Sequence, residues 1–305
     1  MFTLPALLAL KASRPGWWIV TIWLYVLPTA VCGGNARAQF AILAASWRFW
    51  LGLVYVTFPL NLLVYVWNDV ADQTFDRGNA RKDSFLYGAK ANSTQLLWLF
   101  RLSFTVQAPF AAALLAADYH AGGGLRMLGW VASVALVNAL YNHPLPRLSA
   151  RPPLDLLAPA GYLLVAVLSA WLNRVPVPGA RFWVYNLSLV LRTQIWGQLV
   201  DVRVDGRAGR ATTAVVLGPT RTRAALVAVL VAELAFVSHA FPGHRVLRAF
   251  SAIGAVSLPV ASLPHVVQRH QRALIAMGCG LNTAGLGLLA HLWRTGVFCE
   301  DWMIK

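Results

Sequence analysis

Five of the eleven acidic residues in this 305-residue chain fall into two short clusters. The first cluster follows an apolar run and the second lies far downstream, and together they contain Asp69, Asp72, Asp76, Asp201 and Asp205. On a helix that turns about 100° per residue, the members of each cluster lie within about 60° of one another and can point at one place. Carboxylates grouped this tightly repel one another unless a cation lies between them. Mg²⁺ is the natural cation, because it prefers hard oxygen ligands and is usually held by one or two carboxylates plus substrate phosphates.

Polar side chains lead into both clusters along the apolar runs that precede them. Asn61 and Tyr65 precede the first cluster, and Gln194 and Gln198 precede the second, at helical spacing. Polar residues inside a membrane span are costly and generally face the bundle interior or a wet cavity. We therefore expect the two polar stripes to face each other, with Gln198 near enough to its cluster to bind phosphate. For the glutamines alone, hydrogen bonding between helices explains their presence equally well.

Basic residues flank both clusters and can complete an anion site. They are Arg77, Arg81, Lys82, Arg203, Arg207 and Arg210. Arg and Lys side chains can meet the charge of a diphosphate that the metal does not neutralise, and Lys82 and Arg210 are the strongest candidates. Arg192 is different, because it lies deep in an apolar run. On an ideal helix it points away from Asp201, so it either pairs with another buried polar group or lines a second pocket.

The composition is that of an integral membrane protein. Hydrophobic residues make up 58% of the chain, charged residues only 12%, and the mean hydropathy is +0.58. A formal net charge of +15 would suggest nucleic-acid binding in a soluble protein. Here the basic residues gather in short connections between apolar runs, so nucleic acid is not an expected partner and the lipid bilayer is. The widely separated Cys32, Cys279 and Cys299 are interpreted as small apolar packing residues.

Hydropathy predicts an all-α bundle of nine membrane-spanning helices. Each apolar run is close to the roughly 20 residues that a helix needs to cross the hydrocarbon core. The predicted spans cover residues 16–32, 47–67, 96–117, 125–141, 154–172, 181–200, 224–241, 246–263 and 273–293. The longest connection has only about 25 residues, so residues 1–305 are interpreted as a single intramembrane domain.

Charge asymmetry predicts the orientation of this bundle. Lys and Arg number fifteen on the side that holds the N-terminus and both acidic clusters, against nine on the other side. By the positive-inside rule, the acidic clusters face the cytoplasm or its organelle equivalent.

Acidic clusters, basic neighbours and an apolar bundle together indicate chemistry on a prenyl diphosphate. Metal and cations would draw negative charge onto the leaving diphosphate, so that the allylic C–O bond ionises. The carbocation then needs a dry, aromatic-lined cavity. The residues assigned to this cavity are Asn61, Tyr65, Tyr141, Gln194 and Arg192.

The two clusters carry a family resemblance. The stretch Asn68–Asp76 reads NDxxDxxxD and resembles the first signature of the UbiA-type intramembrane prenyltransferase superfamily. The stretch Asp201–Asp205 reads DxxxD and resembles its second signature. The glycine, basic residue and threonine of Gly209–Thr212 are similar to the segment that commonly follows, and the proline-rich turn of Tyr141–Pro153 resembles the connection between the fourth and fifth helices.

This resemblance implies nine helices around a central cavity, with Mg²⁺ and the donor diphosphate at its cytoplasmic mouth. By position, Asn68 and the five clustered aspartates would be the metal and diphosphate residues. One departure lies after the first motif. Many members have a basic residue followed by Arg-Pro there, whereas this chain reads Arg-Lys-Asp-Ser from Arg81 to Ser84, which leaves the subfamily open.

Three functions are compatible with these residues. The leading interpretation is Mg²⁺-dependent transfer of a prenyl group from a prenyl diphosphate to a lipophilic acceptor, with an aromatic acceptor favoured. A membrane terpene cyclase of the same superfamily is the first alternative, because ionisation of the donor is common to both. The second is a transporter that uses the intramembrane acids and Arg192 as an ion path. Transport is disfavoured because the acids lie at one membrane face and no inverted repeat is evident.

Overall fold

The computed structural model describes residues 4–30, 32, 34–73, 75, 82–120, 122–269 and 271–299. This part of the chain is nearly all helix and contains no β-strand, which confirms the all-α class. The helices of its first half are α1 (Leu4–Ala12), α2 (Trp18–Val26), α3 (Ala36–Ala45), α4 (Trp47–Thr57), α5 (Pro59–Ala71), α6 (Ser93–Tyr119) and α7 (Arg126–Asn142). Those of the second half are α8 (Leu154–Leu157), α9 (Leu164–Asn173), α10 (Ala180–Arg207), α11 (Thr213–Leu217), α12 (Pro219–Ala240), α13 (Arg245–Ala261), α14 (Pro264–Arg269) and α15 (Gln271–Thr295).

Several of these helices are suited to a membrane. Among the described residues, four helical segments are long and apolar enough to cross one: Trp47–Ala71, Ser93–Tyr119, Leu154–Asn173 and Pro219–Ala240. Helices of the described chain also occupy the other predicted spans, but they are not among these four segments. The count of nine crossings therefore stays a prediction.

The second predicted span is two helices, because Pro59 begins α5 directly after α4. Proline lacks a backbone N–H, so carbonyl groups of the preceding turn lose their helical partner. Asn61 replaces that partner: its Nδ2 donates to the carbonyl oxygens of Val56 and Thr57, each at 2.7 Å. Asn61 was predicted to line the cavity, and this assignment is wrong, because its side chain is committed to the break between the two helices.

The helix that carries the first acidic cluster also ends earlier than expected. α5 stops at Ala71, and Asp72 is its C-cap residue, with a backbone N–H that donates to Asn68 O at 2.8 Å. A single helical face therefore does not extend along the whole cluster. Asp76 and the predicted phosphate-binding residues Arg77 and Arg81 lie outside the described residues.

Large aromatic side chains fill the end of the bundle away from the acidic clusters. Tyr25, Trp130 and Phe182 are fully or almost fully buried there. Side chains in this region donate hydrogen bonds to backbone carbonyl groups of neighbouring helices. Trp130 Nε1 donates to Leu164 O at 2.6 Å, and Ser169 Oγ donates to Tyr25 O at 2.5 Å. Bonds of this kind hold α2, α7 and α9 together in a setting that offers no water to replace them.

Two cysteines contradict their interpretation as packing residues. Cys32 and Cys299 form a disulfide, with Cα atoms 5.3 Å apart, although 267 residues separate them in the chain. The positions of the two cysteines in the sequence do not indicate that they pair, because only the packing of α15 against α2 brings the two segments together. Close by, Trp293 Nε1 donates to Thr29 Oγ1 at 3.1 Å. The disulfide lies at the end of the bundle opposite the acidic clusters, since α2 begins at the cluster end and runs toward Cys32.

Candidate functional site

Asp69 lies near the C-terminal end of α5 and is bound by two cations. Its carboxylate accepts hydrogen bonds from Arg14 Nη2 at 2.5 Å and from Lys82 Nζ at 2.7 Å. The Lys82 side chain is only 8% exposed, so this contact is desolvated. Lys82 was expected here and Arg14 was not, because nothing in the sequence links Arg14 to a motif 55 residues away. The Arg14 guanidinium also lies 4.5 Å from the centre of the Tyr65 ring.

Asp72 is held by donors from three parts of the chain. Arg210 Nη1 donates to Asp72 Oδ2 at 2.9 Å, and Asn68 Nδ2 donates to the same oxygen at 3.1 Å. Arg147 Nη2 donates to Asp72 Oδ1 at 3.2 Å, and the Arg147 guanidinium lies 4.7 Å from the Phe75 ring centre. Arg147 is a second functional candidate that sequence reasoning missed, since it sits in the proline-rich connection after α7 with other basic residues.

Arg210 brings the two acidic clusters together. Besides Asp72, its Nη1 lies 3.9 Å from Asp205 Oδ1. The local cause is a reversal after α10: Gly209 has a φ of 73°, which a glycine adopts without strain, and Arg210 N then donates to Asp205 O at 2.9 Å. One turn earlier on α10, Asp201 lines the cavity. The predicted meeting of the two motifs is therefore present in the structure.

Asp155 organises the region behind the second cluster and was not singled out from the sequence. Its buried carboxylate accepts from the backbone N–H of Thr213 at 2.6 Å, from Thr213 Oγ1 at 2.5 Å and from Gln198 Nε2 at 2.8 Å. Gln198 Oε1 in turn accepts from Ala214 N at 3.1 Å. Gln198 was predicted to bind the diphosphate, but these bonds commit its amide to joining α10 with α8 and α11. Gln194 does line the cavity, and its Nε2 donates to Asp155 O at 3.2 Å.

A cavity of about 490 Å³ begins beside the acidic clusters and extends into the bundle. Its walls are mainly apolar, with aromatic side chains from Trp17, Trp23, Tyr65, Tyr141, Tyr162 and Phe250. Arg14, Asn68 and Asp201 line the mouth, and Arg192 lines a deeper part. Polar groups at one end of an otherwise apolar pocket are typical of a site that fixes a charged head and buries a hydrocarbon chain.

Tyrosine side chains connect the mouth to this apolar interior. The Tyr65 and Tyr162 side chains lie next to each other, and Tyr141 lies beside Gln194. Tyr65 and Tyr141 were assigned to the cavity from the sequence; Tyr162 was not, because it belongs to a 3₁₀ segment with no periodic pattern. Their rings offer aromatic faces to a cation formed just inside the mouth.

Arg192 pairs with another buried polar group, and it lines the main cavity and not a second pocket. Its guanidinium lines the cavity, and its Nη1 donates to Glu233 Oε1 on α12 at 2.7 Å. Glu233 is fully enclosed, with no exposed side-chain surface. The sequence did not indicate Glu233, since an isolated acid in an apolar run has no pattern that names its partner.

The donor set at the mouth fits Mg²⁺ together with a diphosphate. Asp69, Asp72, Asp201 and Asp205 supply oxygen atoms only, the ligand type that Mg²⁺ prefers. Within the described residues, no group of three or more His, Cys, Asp or Glu lies close enough to share one metal ion. The separated carboxylates are suited to Mg²⁺ ions that each bind one or two of them and complete their coordination shell with phosphate oxygens and water. Asp83, the departure from the family pattern, pairs with Lys11 Nζ at 2.8 Å on the surface.

No family model matches the chain, whereas individual proteins do. A lycopene elongase/hydratase from Corynebacterium glutamicum is 30% identical over 217 residues, which cover 69% of this chain and 69% of that protein. A C(50) β-cyclic carotenoids biosynthesis protein from a Dietzia species is 26% identical over 214 residues, 68% of this chain and 45% of that protein.

Solved structures agree with the chain in overall fold. A UbiA homologue from Archaeoglobus fulgidus bound to DMAPP and Mg²⁺ matches with a TM-score of 0.60 at 16% identity, over 93% of this chain and 99% of that one. The same homologue bound to GPP and Mg²⁺ matches with a TM-score of 0.55 at 17% identity, over 92% and 99%. At these identities the likeness shows a shared fold.

Proposed function

Because this chain belongs to the UbiA-type intramembrane prenyltransferase family, we propose that it transfers a short prenyl group to a long, carotenoid-type isoprenoid within the membrane. The observation that carries this proposal is the 30% identical relative, which is named a lycopene elongase/hydratase. DMAPP and GPP, the ligands of the A. fulgidus structures, are the proposed donors. The mainly apolar cavity supports an acceptor with a long hydrocarbon chain.

In this proposal the mouth of the cavity binds the donor diphosphate. The four described acids of the motifs would hold Mg²⁺, with Asp76 as a fifth. Bound Mg²⁺ would act as a Lewis acid on the diphosphate oxygens. Four cations that now contact Asp69 and Asp72 would turn to the phosphate oxygens: Arg14, Lys82, Arg147 and Arg210. Each carries more donors than it uses on the carboxylates, so it can bind both partners.

The apolar interior would control the fate of the ionised prenyl group. When the C–O bond breaks, its electron pair leaves with the diphosphate and the positive charge spreads over the allylic carbons. Tyr65, Tyr141 and Tyr162 present rings beside that position and exclude water from it. An acceptor double bond then forms the new C–C bond, and the resulting cation loses a proton or takes up water. A chain that attacks itself instead would give the cyclase reaction.

The membrane arrangement is part of the same proposal. We propose a single intramembrane domain that crosses the bilayer nine times, with the acidic clusters on the cytoplasmic side. The Cys32–Cys299 disulfide supports this orientation, because disulfides persist in oxidising compartments and this one lies at the opposite end of the bundle.

Labelling of the two cysteines tests this orientation in intact cells. In a Cys279→Ala background, a membrane-impermeant reductant followed by an impermeant maleimide should label Cys32 and Cys299 without lysis. Labelling that requires lysis would place the disulfide, and not the motifs, on the cytoplasmic side.

Reconstituted protein tests the reaction itself. Nanodiscs would be incubated with dimethylallyl or geranyl diphosphate, with and without Mg²⁺, and with lycopene, an aromatic acceptor or no acceptor. We expect Mg²⁺-dependent diphosphate release together with lycopene that has gained one prenyl group, detected by mass spectrometry. If only the aromatic compound gives a prenylated product, the acceptor is aromatic and not a carotenoid-type isoprenoid. Diphosphate release without any acceptor, yielding a cyclic product, would identify a cyclase.

A further inference from the structure

The deep wall of the cavity contains polar groups that the prenyl-transfer mechanism does not use. This wall, formed by α10 and α13, includes Arg192, Trp196, Gly254 and Ser257, all of which line the cavity. Arg192 precedes Asp201 by nine residues, which places it about 13 Å along α10 from the second acidic cluster. A group at that depth faces the hydrocarbon part of the substrates and not the diphosphate.

Glu233 neutralises the charge of Arg192 from behind the wall. Glu233 Oε1 accepts from Arg192 Nη1 at 2.7 Å and from Ser251 Oγ at 2.9 Å, and Oε2 accepts from Ser188 Oγ at 3.2 Å. Gly254 leaves the space that the guanidinium occupies, since a Cβ at this position would lie 2.8 Å from Arg192 Nη1. The carboxylate is thus fully used, and the pair as a whole presents no net charge to the cavity.

Hydrogen-bond donors of the residues that form this wall lack an acceptor among the described residues. The Trp196 side chain is packed within the wall, the residue is only 7% exposed, and its buried Nε1–H has no hydrogen-bond partner among the described residues. The Ser257 hydroxyl is buried and likewise unpartnered in that part of the chain. Arg192 makes no hydrogen bond to a described residue through Nε or Nη2. A buried donor without an acceptor carries an uncompensated desolvation cost, so a wall with several is suited to a ligand that supplies an acceptor.

We propose that this wall is a subsite for a neutral oxygen atom, a hydroxyl or carbonyl, carried by the isoprenoid acceptor. The groups on it donate hydrogen bonds, which selects an oxygen lone pair, and the balanced Arg192–Glu233 pair selects a neutral ligand over an anion. The acceptor is therefore an oxygenated isoprenoid, bound with its oxygen function inside the cavity. This inference rests on the proposed function, because it identifies the class of acceptor for that reaction.

Direct binding tests the subsite without catalysis. Full-length protein in nanodiscs would be titrated with radiolabelled geranylgeraniol and with the matching hydrocarbon that lacks the hydroxyl, with empty nanodiscs as the blank. We expect the alcohol to bind about tenfold more tightly than the hydrocarbon, as two neutral hydrogen bonds would give. Equal affinities for the two probes would overturn the proposal.

Conservative variants test whether the preference for the alcohol depends on the residues of this wall. Trp196→Phe and Ser257→Ala each remove one donor and keep the packing, and each should reduce the preference for the alcohol about threefold. Trp50→Phe is the matched control, because this partly exposed indole on α4 donates to Ala44 O at 2.9 Å and does not line the cavity. An unchanged preference in both wall variants, with folded protein, contradicts the assignment.

A transfer assay separates this inference from the reaction on which it rests. Wild-type protein would receive dimethylallyl diphosphate and either lycopene or lycopene carrying one terminal hydroxyl. Faster transfer to the hydroxylated acceptor supports the subsite, and equal transfer to both means that the proposed function stands and the subsite does not. Preferential binding of geranylgeraniol without transfer to either acceptor would support the subsite and reject the carotenoid-type acceptor.

Discussion

The mouth and the deep wall of the cavity both contain ion pairs, but only those at the mouth can exchange partners. At the mouth, Asp69 and Asp72 each contact two cations, and Arg210 approaches acids of both motifs. Two of these cations remain accessible, since the side chains of Arg147 and Arg14 are 25% and 17% exposed, whereas Lys82 is as buried as Arg192. In the deep wall one arginine faces one glutamate, with 8% and no exposure.

This difference separates two uses of charge in one cavity. A cluster of shared partners can admit a metal and an anion, because a cation that turns from a carboxylate to a phosphate still has a countercharge. An enclosed single pair cannot be opened without leaving a buried charge unpaired. The mouth is therefore suited to binding and releasing a diphosphate, and the wall is a permanent structure that presents hydrogen-bond donors.

Removal of a motif carboxylate at the mouth should have the largest effect on activity. Asp69→Asn and Asp201→Asn should each lower Mg²⁺-dependent diphosphate release by about a thousandfold, since they remove charge that holds the metal against the leaving group. Both proteins should still insert and elute as folded protein in detergent. The control is Asp83→Asn, because Asp83 is a nearby exposed acid with a φ of 72° that asparagine tolerates. Near-normal release from either motif variant would refute the metal-site assignment.

Breaking the enclosed pair should affect stability more than chemistry. Glu233→Gln leaves the buried Arg192 without its countercharge, so we expect a loss of about 3 kcal/mol in the free energy of unfolding. The double variant Arg192→Met, Glu233→Met should recover most of that loss, because two apolar side chains replace two charges. Thermal unfolding in detergent measures both. Equal stability of Glu233→Gln and wild type would mean that the pair is not the permanent structure described above.

A cation at the mouth should show the smallest change of the three, and in donor binding. Arg147→Gln removes a charged donor that contacts Asp72, and we expect the KM for the prenyl diphosphate to rise about tenfold with little change in unfolding temperature. Arg151→Gln is the comparison variant, since this exposed arginine donates to Leu145 O and not to an acid. An increase in KM of the same size in both variants would indicate a general charge effect.

The local parts of the site were predictable, and the long-range parts were not. Spacing alone pointed to Asp69, Asp72, Asp201 and Asp205, because helical periodicity places neighbours in sequence on one face. It could not identify Arg14, which reaches Asp69 only because α1 packs beside α5. It misassigned Asn61, because Pro59 creates a local demand for a side-chain donor that outweighs the cavity.

The amino-acid sequence by itself determined the membrane setting, the all-α class and the positions of the two acidic motifs, since composition, hydropathy and short-range spacing carry that information. Tertiary structure decided every pairing between distant segments: Arg147 with Asp72, Gln198 with Asp155, Arg192 with Glu233, and Cys32 with Cys299. Each of these depends on which helices become neighbours. In an apolar bundle many helix surfaces are nearly interchangeable, so the few polar contacts that specify the arrangement become visible only when the helices are packed.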